Sequence, residues 1–185
     1  MPNVTIPKKS GLVSFIYVLI YNFDIKLRKD TMTIPNNKYP IKIITKDKKK
    51  YIFDAIRKKH IVLTPEEWVR QNFIKYLVEE KAYPSGLIGV EQQLPGNDQN
   101  FRTDIVIYSR TAKAIMIIEC KSEKIKISQD VFDQAAKYNF QFKANYLVVT
   151  NGINHYICKL NYQEKSYIFM KEVPDYKELL ENERK

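Results

Sequence analysis

Cysteine, glycine and tryptophan are scarce in this chain of 185 residues, which holds two Cys, five Gly and one Trp. Two cysteines, at positions 120 and 158, are too few for a scaffold built on disulfides and fit a reducing compartment, so we expect a cytoplasmic protein. No apolar run approaches the ~18 residues that a membrane-crossing helix needs, so we expect no membrane partner. The length favours one domain and leaves no room for a helicase motor beside it.

Positive charge exceeds negative charge, and the excess lies in the N-terminal third. The chain holds 31 Lys+Arg and 21 Asp+Glu, a net charge of +10, and residues 1–60 alone, with 14 basic and 4 acidic side chains, carry the same net +10. Exposed Lys and Arg release counterions from a polyanion, which makes DNA an expected partner; a solvated, lysine-rich surface is the alternative. The candidate DNA-binding residues are Lys48, Lys49, Lys50, Arg57, Lys58 and Lys59.

The chain divides into three parts. Residues 1–31 contain an apolar run that resembles the front of a signal peptide, but no small-residue cleavage site follows. We interpret them as an N-terminal extension, either an added strand or helix or a stretch upstream of a true start at Met32. Residues 32–60 form a basic segment with a hairpin over 39–53, where apolar and polar residues alternate around a polar tip, and 54–62 is a connector. Residues 61–185 form the core.

Helix start signals converge at Thr64. This residue is a good N-cap, Pro65 fits the first helical position, and Glu67 completes a capping box. These signals predict a helix over about 65–81. At 100° per residue, Glu66 falls among the apolar side chains and Glu67 at their flank, so we expect Glu66 to need a partner, a metal or a cap.

After this helix the pattern changes to strands. The segment 112–120 is apolar on both faces, which is typical of a central strand covered on both sides. The order αβββαββ predicts an α/β fold, a central mixed sheet with helices on both faces. The predicted strands are 87–94, 103–108, 112–120, 145–150, 153–160 and an edge strand at 167–170, with a turn at 95–98 and helices at 128–143 and 175–183.

Three polar residues interrupt the apolar strands. Glu119 and Lys121 are two apart, so they point to one face, and Asp104 can lie near them if its strand pairs antiparallel with theirs. Two carboxylates with water suit Mg²⁺, and a neighbouring lysine can help to deprotonate a water and stabilise negative charge. This set indicates attack on a phosphodiester. A surface ion pair and a strand-start acid are the ordinary alternatives, since Glu-x-Lys triplets are common.

Other polar residues have weaker signals. Gln134 and Tyr138 are four apart and share one face of the second helix. Glu91 is interpreted as an ion-pair partner of Arg102 rather than a residue of the site. Arg70 falls on the buried helix face, where we expect it to neutralise an interior carboxylate.

Taken together, several segments resemble the N-terminal nuclease domain of type I restriction enzyme R subunits, a branch of the PD-(D/E)xK phosphodiesterase superfamily. The resemblance covers about residues 55–160 and is specific only as a set. The segments are Thr64–Gln71 (TPEEWVRQ), Glu91, Arg102–Tyr108 (RTDIVIY), Ile117–Lys121 (IIECK), Gln134–Tyr138 (QAAKY) and Val149–Gly152 (VTNG).

The resemblance implies a restriction-endonuclease-like αβββαβ sandwich and a Mg²⁺-dependent DNA nuclease, with Mn²⁺ as a substitute. It assigns Asp104 and Glu119 as metal ligands and Lys121 as the catalytic lysine. Glu66 matches an acid on the first helix that often joins the metal site. The family's proline before its first aspartate is replaced by Thr103.

The same resemblance links Gln134 and Tyr138 with DNA engagement. It implies motor or specificity subunits of a restriction system as partners, since type I R subunits couple cleavage to translocation. A nuclease-fold domain that binds DNA or a partner without cutting is the alternative, and RNA processing by the same chemistry is a third. The sequence does not indicate the oligomeric state or the cleavage specificity.

Overall fold

The computed structural model describes residues 39–93, 102–164 and 166–183. The N-terminal extension, Met32 and the turn predicted at 95–98 lie outside the described residues, so those interpretations stay predictions. For Tyr138 the structure describes the backbone only.

The described residues form nine strands and three helices, which are numbered here in chain order, together with a short 3₁₀ turn at Ser85–Leu87. Most bounds lie within a few residues of those predicted. The elements are β1 Ile43–Lys46, β2 Lys49–Asp54, β3 Lys59–Val62, α1 Pro65–Glu79, β4 Ile88–Gln93, β5 Arg102–Tyr108, β6 Ala114–Cys120, α2 Gln129–Phe142, β7 Tyr146–Thr150, β8 His155–Asn161, β9 Ser166–Met170 and α3 Tyr176–Glu183.

The strands form two sheets. A three-stranded antiparallel sheet has the order β1-β2-β3, and a six-stranded sheet has the order β4-β5-β6-β7-β8-β9. In the larger sheet β6 and β7 are parallel and the other neighbouring strands are antiparallel. A parallel pair needs a crossover connection, which α2 supplies between β6 and β7. The predicted α/β fold with a central mixed sheet is confirmed.

Helices cover both faces of the six-stranded sheet. On one side Phe73 of α1 packs with Ile118 of β6 in a buried cluster. On the other side Phe132 of α2 packs with Ile117 and Leu147. Alternate residues of β6 therefore serve two cores, which explains why this strand is apolar at almost every position. The sandwich expected from the continuous apolar pattern is confirmed.

The predicted hairpin over 39–53 is present as β1 and β2. Its tip is Asp47 and Lys48, both with positive φ, at 50° and 62°. Two consecutive left-handed residues give a turn whose twist matches that of the flanking strands. The alternating pattern thus located the hairpin correctly.

The interpretation of 54–62 as a connector was wrong, because this segment includes β3. Asp54 Oδ1 accepts hydrogen bonds from the backbone N–H groups of Ile56 and Arg57, at 2.8 and 2.7 Å. These bonds reverse the chain, so that Lys59 lies opposite Asp54 and His60 opposite Phe53. In the parts of the chain that the structure covers, no helix has the length and apolar character required to span a bilayer.

Candidate active site

The register of β5 and β6 brings two acidic side chains together. Ile105 lies opposite Ile118, and the same register continued by one residue places Asp104 opposite Glu119. Cross-strand partners in an antiparallel pair point to the same face. The Oδ2 atom of Asp104 also accepts a hydrogen bond from the backbone N–H of Cys120, at 2.7 Å. The two carboxylates therefore lie side by side at the carboxyl end of β6.

Lys121 lies directly beyond this pair. Its Nζ atom is 2.8 Å from Oε1 of Glu119, and its backbone N–H donates to the carbonyl of Thr150 in β7, at 2.7 Å. This backbone bond extends the parallel ladder by one residue, which keeps Lys121 on the same face as Glu119. Cys120 points the other way into the core, where burial raises the pKa of its thiol. The structure thus brings all three predicted catalytic side chains to one place.

Glu119 is held in surroundings that disfavour its charge. Burial raises the pKa of this carboxyl, Asp104 raises it further, and Lys121 lowers it, which leaves it at about 7. The side chain is only 12% exposed. A bound cation would favour the charged form, because it would relieve the repulsion between the two carboxylates.

Asp104 is oriented by a buried arginine on α1. The Nη2 atom of Arg70 is 2.5 Å from Oδ1 of Asp104, while its Nη1 atom is 2.6 Å from Oε2 of Glu67 and 3.2 Å from Oε1 of Glu91. Burial lowers the pKa of Arg70, but Asp104 and Glu67 outweigh it and raise the value above its usual range. Arg70 was expected to neutralise an interior carboxylate, and it pairs with three carboxylates, those of Asp104, Glu67 and Glu91.

Arg57, predicted as a DNA contact, is an ion-pair partner inside the protein, and a contact with DNA stays a prediction. The turn between β2 and β3 directs its guanidinium inward, where it lies 2.6 Å from Asp54 and 2.5 Å from Glu91. The Arg57 side chain is 21% exposed. Glu91 is also 3.9 Å from Arg102, its expected partner, but Arg57 and Arg70 lie closer. Burial raises the pKa of Glu91, and these two arginines outweigh it and lower the value.

The prediction that Glu66 faces the core and Glu67 the flank was also wrong. Glu67 is buried and Glu66 is only half-buried. The N–H of Glu67 donates to Oγ1 of Thr64, as the cap predicts, but its carboxylate bonds to Arg70 and Gln71. Arg57 approaches the same carboxylate at 3.7 Å. A helical wheel could not show that the three-stranded sheet covers this flank. A metal contact by Glu66 stays a prediction.

Gln134, one of the two predicted DNA-engaging residues of α2, lies away from the buried face of this helix. This helix buries Phe132, Ala135 and Ala136, whereas Gln134 is exposed. Tyr138 follows Gln134 by four residues, so the backbone places both on one side of the helix. On the three-stranded sheet the remaining predicted DNA contacts are all exposed, namely Lys48, Lys49, Lys50, Lys58 and Lys59.

The donor set fits a hydrated Mg²⁺. Among the described residues, no group of three or more His, Cys, Asp and Glu side chains is placed to hold a metal. Asp104 and Glu119 supply hard carboxylate oxygens, and Mg²⁺ commonly takes one or two carboxylates and keeps several waters. These two residues would hold the ion. One oxygen of Asp104 faces Arg70, so that arginine would share the carboxylate with the metal.

A groove beside the site was not expected from the sequence. It lies between the start of α1 and the segment that follows Lys121, and its volume is about 470 Å³. No sequence signal marks it, because its two walls are more than fifty residues apart in the chain. The lining residues are Leu63, Thr64, Pro65, Trp68, Ser122, Glu123 and Lys124.

Comparison with known proteins identifies a matching family and a similar solved structure. The family model for the N terminus of the type I restriction enzyme R protein matches residues 65–174. No curated protein matches the chain. A fragment assigned to an HsdR subunit of a type I restriction enzyme from Vibrio vulnificus YJ016 is similar at 20% identity with a TM-score of 0.47. The match covers 64% of this chain and 25% of that one.

Proposed function

This chain belongs to the family of type I restriction enzyme R protein N termini, and from that membership we propose that it is a Mg²⁺-dependent DNA nuclease module. The observation that carries the proposal is the convergence of Asp104 and Glu119 with Lys121, whose Nζ lies 2.8 Å from Glu119. The pattern of an acid on one strand and Glu-x-Lys on the next matches the PD-(D/E)xK superfamily. The reaction is hydrolysis of a phosphodiester bond.

Each residue has a distinct part in this mechanism. Asp104 and Glu119 would hold the ion, which would supply Lewis acidity and lower the pKa of a bound water. The Lys121 ammonium donates hydrogen bonds toward the reacting phosphate and stabilises negative charge as it develops there. Arg70 fixes the orientation of Asp104 through the 2.5 Å contact with its Oδ1.

Residues outside the catalytic site contribute to DNA binding. The exposed lysines of the three-stranded sheet attract the phosphate backbone. Gln134 and Tyr138 engage DNA from α2. Motor or specificity subunits of a restriction system are the proposed protein partners, and Mn²⁺ substitutes for Mg²⁺. We place this function in the cytoplasm.

A second candidate is a domain that binds DNA or a partner without cutting. The observation in its favour is that both oxygens of Asp104 already accept hydrogen bonds from the protein, one from Arg70 and one from the N–H of Cys120. If these bonds persist, the carboxylate has less freedom to bind a metal.

Plasmid cleavage in Mg²⁺ by the purified chain tests the proposal. We expect Asp104→Asn, Glu119→Gln and Lys121→Ala each to reduce the rate by about 100-fold or more. Titration with Mn²⁺ should show that the two acid variants no longer bind the metal and that Lys121→Ala still does, because lysine is not a ligand. Asp130→Asn, an exposed acid at the start of α2, is the matched control.

The outcomes separate the two candidates. Cleavage retained in all three site variants would contradict the assignment of the site. Tight binding of DNA by the wild-type chain, with no cleavage in either Mg²⁺ or Mn²⁺, would favour the domain that does not cut.

A further inference from the structure

One side of the three-stranded sheet combines aromatic rings with lysines. In the ladders Lys46 lies opposite Lys49, Tyr51 opposite Val62, and Phe53 opposite His60. Cross-strand partners and residues two apart on one strand lie on the same face. These positions therefore form a single surface, here called the outer face, which consists of Lys42, Ile44, Lys46, Lys49, Tyr51, Phe53, His60 and Val62.

The opposite side of the same sheet is directed at the protein. Ile52 and Asp54 lie there, and both are completely buried. Asp54 pairs with Arg57, which reaches Glu67 on α1. The outer face therefore points away from the core. Two of its apolar side chains are open to solvent, since Val62 is 50% exposed and Ile44 is 36% exposed.

The rings of the outer face are grouped closely. Tyr51 and Phe53 are two residues apart on β2, which corresponds to about 7 Å. The rings of Phe53 and His60 meet edge to face with their centroids 5.2 Å apart. Tyr51, Phe53 and His60 are half-buried residues, and the Nε2 atom of His60 is buried. Aromatic rings displayed on a sheet are surfaces on which unpaired bases stack.

The charged side chains of the outer face are all positive. Its eight residues include three lysines and no acid, and the adjoining turns hold the exposed Lys48 and Lys58 together with one exposed acid, Asp47. A matching ligand must present both a regular series of negative charges and flat apolar groups. A single-stranded nucleic acid has both, because its phosphates repeat along the chain and its bases are not stacked against a second strand.

We propose that the outer face binds an unpaired nucleic acid strand, with bases stacked on Tyr51 and Phe53 and phosphates held by Lys42, Lys46 and Lys49. A duplex would use only the lysines, since its bases stack on one another and leave the rings without a partner. This binding goes beyond the proposed nuclease activity and requires neither the metal nor the catalytic residues.

Binding of a labelled oligothymidylate to the full chain in EDTA tests the inference. The oligonucleotide should exceed a site size of about 4–16 nucleotides. We expect Tyr51→Leu and Phe53→Leu each to weaken its binding about tenfold or more, while binding of a duplex of equal length is unchanged. Leucine retains apolar volume on the sheet, and thermal unfolding verifies that each variant is folded. Tyr167→Leu on β9, another half-buried tyrosine, is the matched control.

The salt dependence of binding tests the contribution of the lysines. The double variant Lys46→Gln/Lys49→Gln should reduce the slope of log K against log salt by about 1.4, because each phosphate contact on a single strand contributes about 0.7. The control pair is Lys171→Gln/Lys177→Gln, two exposed lysines outside this sheet. An unchanged slope in the first variant would contradict the proposed phosphate contacts.

Three results would overturn the inference: oligothymidylate binding that stays at the wild-type level in both ring variants, an equal weakening of duplex binding, or equally strong ring-dependent binding to anionic lipid vesicles. The inference and the nuclease proposal fail separately. Asp104→Asn should bind oligothymidylate like the wild type although it does not cut. Normal cleavage with normal oligothymidylate binding in the ring variants would contradict the outer-face site alone.

Discussion

Charged side chains have opposite surroundings in two regions of this molecule. At the carboxyl end of β6, Arg70 is 8% exposed and contacts Glu67 and Asp104 at hydrogen-bonding distance. On the three-stranded sheet, Lys48 and Lys49 are exposed to water. Charges of the first kind fix one another in position, whereas charges of the second kind attract ligands over a distance. Basic residues therefore orient the candidate site at the end of β6, whereas on the three-stranded sheet they attract a negatively charged ligand.

Arg57 connects the two regions. It belongs by sequence to the basic N-terminal segment, but its guanidinium pairs with Asp54 and with Glu91. Glu91 in turn contacts Arg70, at 3.2 Å. The three-stranded sheet is thus anchored to the neighbourhood of Asp104 by a continuous series of ion pairs. Substitution of a buried residue of this series should lower the free energy of unfolding far more than substitution of an exposed lysine. The following predictions test that difference.

The largest effect is expected for Arg70→Met. This substitution leaves Glu67 and Asp104 without their buried cation, and we expect the free energy of unfolding to fall by about 3–5 kcal/mol. Urea denaturation measures the change. Lys75→Met on the same helix, which breaks only the partly exposed pair with Glu79, is the control and should cost at most about 1 kcal/mol. Similar destabilisation of both variants would contradict the expected difference between buried and exposed charged residues.

An effect of opposite sign is expected for Glu119→Gln. In the folded protein burial and Asp104 raise the pKa of Glu119 to about 7, so the native state keeps a proton that the unfolded state releases as the pH rises. Stability should therefore fall as the pH rises from about 4.5 to 7.

The Gln side chain avoids this destabilisation, so the variant should be more stable than the wild type at about pH 8, on the order of 2–3 kcal/mol, and equally stable near pH 4. Denaturation at both pH values without divalent ions is the test. A stability difference that does not change with pH would contradict this explanation.

A smaller destabilisation is expected for Thr64→Ala at the start of α1. The hydroxyl of Thr64 accepts a hydrogen bond from the N–H of Glu67, at 3.1 Å. Its removal should reduce the free energy of unfolding by about 1 kcal/mol. Thr64→Ser keeps the acceptor and should retain most of the wild-type stability. Equal destabilisation by Ala and Ser would show that the hydrogen bond is not the cause.

The smallest change in stability is expected on the exposed sheet. Substitution of Lys48, Lys49 and Lys50 together by Gln should alter the free energy of unfolding by no more than about 0.5 kcal/mol. The same variant should bind duplex DNA more weakly, and the slope of log K against log salt should fall by about 0.9 for each phosphate that these lysines neutralise in the wild type. If the variant has the wild-type midpoint of denaturation and the wild-type affinity for DNA, these lysines are only solvated surface residues.

The elements of the fold were predictable because their signals are local. The Thr64-Pro65 cap marked the start of α1, and the apolar pattern of β6 indicated a strand covered on both sides. β3 was missed because its pairing depends on the turn that Asp54 makes, in a segment where apolar and polar residues do not alternate. A reversal stabilised by one side chain leaves little trace in hydrophobic periodicity.

The residues of the candidate site also fall into those that local signals predict and those that they do not. Asp104 and Glu119 were expected to meet because strand alternation and a short connection determine which residues face each other. The burial of Glu67 rather than Glu66, and the inward direction of Arg57, depend on contacts between the three-stranded sheet and α1. Such contacts join elements that no sequence period relates to one another, so a helical wheel assigned the wrong acid to the protein interior.

The two cysteines, Cys120 and Cys158, are both buried thiols. Thiol-reactive dyes should therefore leave the folded chain unmodified, since neither sulfur is accessible and burial raises the pKa of Cys120. A cysteine introduced at the hairpin tip, for example by Lys48→Cys, would then be the preferred site of dye attachment even with both native cysteines retained. Energy transfer from such a dye to a labelled oligonucleotide would report directly how far a captured strand lies from the β1–β2 turn.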